Sequence, residues 1–113
     1  MDKLQDIIVY YPKAHFWSRK HVKTKYTVDQ AGIPHGTCST YDYHNPKIAK
    51  RQTEFKHGKK LQTSFFYPTG QVESTIDYVK DTIRCFDPQG NLRFRQSKGK
   101  AVCFDSHGKK QSL

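Results

Sequence analysis

Long apolar runs are missing. No stretch of the 113 residues approaches the roughly 20 apolar positions that a membrane helix needs, so a membrane partner is not expected. The opening "MDKLQDIIVYY" has neither a basic leader nor a cleavable apolar segment, and the expected location is the cytoplasm. Cysteine is scarce as well. Cys38, Cys85 and Cys103 are odd in number and widely spaced, which suits a reducing compartment better than a disulfide framework. Acid is the third shortage, with ten Asp and Glu against twenty Lys and Arg and a formal net charge of +10. The carboxylates stand singly, and Glu73 with Asp77 reads as the wet face of one strand, so no acid/base pair is expected. There is no Gly-rich phosphate loop, nucleophile elbow or oxyanion loop. His35-Gly-Thr-Cys38 is the nearest approach to a metal or Cys–His arrangement, and the simpler reading is a turn with an exposed His beside a small strand residue. The expectation is a protein with no enzymatic activity, no metal and no cofactor.

Helical periodicity is absent too, and what is present is aromatic and turn-rich. Only 35% of residues are hydrophobic, yet seven Tyr and seven Phe favour strands and supply most of the area that can be buried. An aromatic precedes a turn three times at a spacing of 18 or 19 residues, in Tyr67-Pro-Thr-Gly70, Phe86-Asp-Pro-Gln-Gly90 and Phe104-Asp-Ser-His-Gly108. Between these turns the pattern alternates with period two: Val72, Ser74, Ile76 and Tyr78 against Glu73, Thr75 and Asp77, and Leu92 with Phe94 against Arg93 and Arg95. Further turns read "HNPK" at 44–47 and "KHGK" at 56–59. The segments 37–43, 48–55, 61–67, 71–78, 82–86, 91–96 and 100–104 are therefore predicted strands, "DIIVYY" is another, and "AHFWSRKHV" reads equally as strand, loop or one helical turn. The fold class is all-β, an antiparallel meander of short hairpins in a single sheet, open or curled, with little helix. One domain spans 1–113, with a basic N-terminal segment at 1–25, hairpin repeats at 26–109 and a tail at 110–113. Cys85 and Cys103 occupy equivalent places one strand apart, and two strand spacings of about 9.6 Å exceed the reach of a disulfide.

A period near 20 residues marks units that bury their apolar faces only against neighbours. The stretches "GIPHGTCSTY", "YPTGQVESTIDY", "FDPQGNLRF" and "FDSHGK" resemble the MORN repeat, in its bacterial antitoxin-associated variant, over residues 26–109. The segment "VKD" at 79–81 departs from that pattern in lacking a Gly, as does "HNPK". The resemblance implies a small immunity protein or antitoxin that covers the active site of a cognate toxin.

The charge is uneven. Residues 12–25 carry five basic residues and no acid, residues 84–113 carry seven basic and two acidic, and residues 61–83 are net negative. Candidate contacts are Arg84, Arg93, Arg95, Lys98 and Lys100 on the C-terminal hairpins, with Trp17 and Arg19 on the N-terminal segment. A cationic sheet face suits an acidic toxin surface. A small basic nucleic-acid-binding protein is the alternative, the cations meeting phosphates and the aromatics stacking on bases. The sequence does not set the oligomeric state, and the sheet edges are a further place where a partner strand can add.

Overall fold

The computed structural model describes residues 4–12 and 20–111. Ten strands follow one another: β1 (Gln5–Tyr10), β2 (Val22–Val28), β3 (Gly36–Asp42), β4 (Asn45–Lys56), β5 (Lys59–Phe66), β6 (Val72–Asp77), β7 (Thr82–Phe86), β8 (Leu92–Ser97), β9 (Lys100–Phe104) and β10 (Lys110–Gln111). Each pairs antiparallel with its chain neighbours, and the sheet order is β1 through β10 with no crossover and no closure. The fold is the all-β antiparallel meander expected, with no helix among the described residues. β2 and β10 go beyond the expected strands. Val22, Thr24, Tyr26 and Val28 alternate with Lys23, Lys25 and Thr27, so part of the basic N-terminal segment is the wet side of a strand.

The turns divide into two kinds. At 57–58 and 98–99 two residues suffice, and His57, Gly58, Lys98 and Gly99 all have positive φ, the two-residue reversal whose twist matches the flanking strands. The turns at Asp29, Tyr67, Asp87 and Asp105 are longer and share one backbone pattern. In the 87–91 turn the amide of Asp87 donates to the carbonyl of Asn91 and the amide of Gly90 donates back to the carbonyl of Asp87, both at 2.9 Å. Three of the four begin with Asp, and the carboxylate accepts from the amides two and four residues on: Asp87 Oδ1 from Gln89 at 3.1 Å and Asn91 at 2.8 Å, with the same arrangement at Asp29 and Asp105. The Gly missing from 79–81 is replaced by Asp81 at φ 54°. The turn expected at 44–47 lies at Tyr43 and His44 instead. Pro46 belongs to β4, where residues 46–48 have no partner on β3, so its missing amide leaves no ladder bond unmade.

Bulges recur in the second strands of the hairpins. Lys23, Lys50, Leu61, Glu73 and Arg93 are each skipped by the register of their strand pair, so each is an extra residue that bends and twists the sheet. Hairpins are also tied across an intervening strand. The Tyr11 hydroxyl donates to the carbonyl of Tyr41 and the Tyr67 hydroxyl to that of Phe86, both at 2.7 Å. The sheet is one layer thick. Its extents are 53 × 37 × 19 Å and its radius of gyration is 17.3 Å, where a compact chain of this length has about 13 Å. Buried residues are accordingly few: Val28, Ser39, Thr53 and Thr63. The Thr53 and Thr63 hydroxyls lie 3.0 Å apart, and Thr63 meets the hydroxyl of the exposed Tyr78 at the same distance, so the best-covered spot is a hydroxyl network.

Candidate functional site: a basic concavity on the C-terminal hairpins

The period-two pattern of β7, β8 and β9 decides which cations meet. Arg84 stands directly opposite Arg95, Arg95 opposite Val102, Thr82 opposite Ser97, and Ser97 opposite Lys100. Directly opposed residues share a face, so two rows of side chains combine into one patch. With Lys98 from the 98–99 turn and Lys110 from β10 they line a shallow concavity of about 600 Å³. Five cations and the hydroxyls of Thr82 and Ser97 face it, and no carboxylate does. Among the described residues the ion pairs within 4.0 Å are His57 with Asp29 and Arg93 with Asp87, so none of these five cations is neutralised by a carboxylate. The Arg95 guanidinium sits 5.8 Å from the centre of the Phe104 ring, a cation–π contact at one side of the concavity.

Four of the seven sequence candidates, Arg84, Arg95, Lys98 and Lys100, therefore come together. Arg93 does not join them. As the bulge residue it leaves the alternation that would place it beside Arg95, donates Nε to the carbonyl of Phe104 at 2.9 Å and sits 3.6 Å from Asp87. Trp17 and Arg19 lie outside the described residues. Lys110 is the member that sequence reasoning missed: it lies in the stretch taken as tail, and only the pairing of Lys110 with Phe104 brings it round to the patch.

The patch has a sharp boundary. Asp77 stands opposite Thr82 on the next strand, its carboxylate capping the 78–81 turn through the amides of Val79 and Lys80. Two strands further along the same row, past Gln62, Glu54 accepts from the Thr37 hydroxyl at 2.6 Å. A second hollow, of about 560 Å³, gathers Lys23, Lys50 and Arg51 beside Phe65 and Phe66, but Glu73 projects into it and offsets the charge.

The thiols and histidines are placed elsewhere. Burial raises the pKa of Cys38, with Arg51 pulling the other way, and burial followed by Glu73 raises that of Cys85. Cys85 and Cys103 flank Phe94 in one row across three strands, and all three cysteines are free. His35 serves structure: its Nδ1 accepts from the amide of His57 at 3.1 Å, and the two rings lie 4.6 Å apart. No three His, Cys, Asp or Glu side chains among the described residues converge as a metal-ligand set. No described helix is long and apolar enough to cross a membrane. Comparison with protein-family models, curated proteins and solved structures gives no match to this chain.

Proposed function

We propose that the protein is a non-enzymatic binding protein, an immunity protein or antitoxin, that neutralises a cognate toxin by occluding an acidic surface with the concavity of β7 to β10. The observation that carries the reading is the Arg84–Arg95 pair. Like charges directly opposite one another destabilise a sheet, and this sheet has little core to spare. An anionic partner converts that repulsion into two charge-assisted contacts, and guanidinium groups recognise carboxylates bidentately. The likeness of the hairpin repeats to the antitoxin-associated MORN pattern supports the same reading.

The acidic boundary favours a protein over a nucleic acid. A phosphate backbone needs a cationic track over several residues, whereas Asp77 and Glu54 interrupt the one row that leads away from Lys100 across the sheet, and the row of Arg84 continues through the uncharged Thr75, Ser64, Gln52 and Ser39. A compact carboxylate cluster fits between these limits.

The test is calorimetric titration with the product of the reading frame upstream of this chain's gene, which the reading expects to end in a toxin domain. The folded double variant Arg84→Glu/Arg95→Glu is expected to lose affinity by roughly a hundredfold or more. Unchanged affinity removes this face from the proposal. Parallel titrations with single-stranded DNA, double-stranded RNA and a polyglutamate peptide of matched charge, each at two salt concentrations, address the alternative. A clear preference for a nucleic acid that survives at the higher salt assigns the site to that class instead.

A further inference from the structure

We infer that β1 is the interface through which two copies of this chain pair, edge to edge, into one continuous sheet. β1 is the first strand of the sheet order, so one side of its backbone has no partner among the described residues. Natural sheets blunt such edges with lysines, prolines, bulges or short strands. β1 does little of this: it is six residues long, with the sequence QDIIVY, and contains no Lys, Arg, Pro or Gly. Its one bulge residue, Lys23, belongs to β2. Leu4, Ile8, Val9 and Tyr10 are between 41% and 54% exposed, half of the exposed large apolar side chains among the described residues.

Charge identifies the occupant as a second copy. Two molecules of net charge +10 repel unless they meet where positive charge is least. The opposite edge fails this condition, because Lys98, Lys100 and Lys110 crowd it. β1 itself meets it, with Asp6 as its single charged residue, and the cation at its end, Lys20, is held with its Nζ 5.2 Å from the centre of the Tyr10 ring. The strand is also self-complementary. Antiparallel pairing about a two-fold axis normal to the sheet must pass through a residue, so that each face maps onto itself. Centred on Ile7, it uses all of residues 4–10: Ile7 meets Ile7 of the second copy, Asp6 meets Ile8, Gln5 meets Val9, and Leu4 meets Tyr10. No like charges stand directly opposite. The two basic concavities are then left free at the far ends of the doubled sheet.

Sedimentation of the full chain should give about twice its 13.2 kDa mass at micromolar concentration. Ile8→Glu is the diagnostic variant. Within one chain the new carboxylate faces Lys25, a favourable pair that supports the fold, whereas across the two-fold it faces Asp6 of the second copy. It should weaken pairing at least roughly tenfold while leaving the melting temperature unchanged or higher. Ile7→Cys, in a background lacking the three native cysteines, should cross-link to itself on mild oxidation, and Gln5→Cys should not. A monomer at all concentrations, larger open-ended assemblies, or a dimer indifferent to Ile8→Glu would each overturn the inference. None of these outcomes touches partner binding at the basic concavity, which is measured on the separate Arg84→Glu/Arg95→Glu variant.

Discussion

Asp87 shows how much a single side chain settles in a protein with so little interior. Its carboxylate holds the 87–91 turn through two backbone amides and the Asn91 side chain, and it faces Arg93. Hydrogen bonds to the ionised form favour that form, so the pKa of Asp87 lies below its ordinary 3.8, the Asn91 amide being the largest cause. Asp29 and Asp105 are depressed for the same reason, led by the amides of Ile33 and Lys109. A depressed carboxylate contributes stability that is complete above its unfolded value and is lost as pH falls through the folded one. Thermal melts should accordingly show a constant midpoint at neutral pH and a decline below about pH 4. Asp87→Asn keeps one acceptor oxygen and should shrink that decline, while Asp87→Ala should lower the midpoint at every pH. A decline as steep in the triple variant Asp29→Asn/Asp87→Asn/Asp105→Asn as in the native chain would refute the assignment. Tyr67 supplies a second test at this scale. Its pKa is raised, by burial first and then by Glu73 and Asp87, and its hydroxyl donates to the Phe86 carbonyl. Tyr67→Phe leaves the ring and removes the donor, and the midpoint should drop by roughly 4 °C.

Elements in this chain are set by their reversals as much as by their strands. Gly58 sits at φ 83°, and a Cβ built there would come within 2.9 Å of the Ile33 Cγ2 methyl, so Gly58→Ala combines a disfavoured backbone with a close contact and should cost about 1–2 kcal/mol. Asp81 holds a comparable φ of 54° without being glycine, while the carboxylate that caps its turn comes from Asp77. Asp81→Gly should therefore stabilise by about 0.5–1 kcal/mol, a change of sign that urea melts of the two variants would reveal. These positions also mark what the sequence made legible. Seven expected strands coincide with β3 to β9 to within three residues, because alternation in stretches such as Val72 to Asp77 and Gly-containing turns at 58, 70 and 90 point the same way. The bulges were not legible, since Lys23, Lys50, Leu61, Glu73 and Arg93 look like ordinary members of an alternating pattern until a partner strand skips them. That is why Arg93 reads from sequence as a companion of Arg95. β10 was hidden by shortness, its two residues carrying no period of their own. The pairing of Arg84 with Arg95 was half legible: each belonged to a recognisable strand, but their register depends on how the 87–91 turn closes.

Taken as a whole, the molecule is a single layer whose two edge strands differ in charge and whose C-terminal hairpins gather five cations with no carboxylate among them, and this arrangement sets stability against binding. Arg84 has Thr75 on one side and Arg95 on the other, with no carboxylate near enough to offset the repulsion among the described residues. Replacing it by Thr introduces a β-branched residue, creates a Thr–Thr pair with Thr75 and removes the like-charge contact. Arg84→Thr should therefore raise stability by about 1 kcal/mol and the melting temperature by roughly 4 °C, while weakening binding of an acidic partner. Salt separates the causes. Raising sodium chloride from low to molar concentration screens exposed charges, so the native midpoint should climb toward that of the variant, which itself should respond less. If the gain were only one of strand propensity, the two curves would run parallel at every ionic strength. If Arg84→Thr lowered the midpoint at low salt, the guanidinium would be holding the sheet together instead of waiting for an anion, and the concavity would lose its standing as a binding surface.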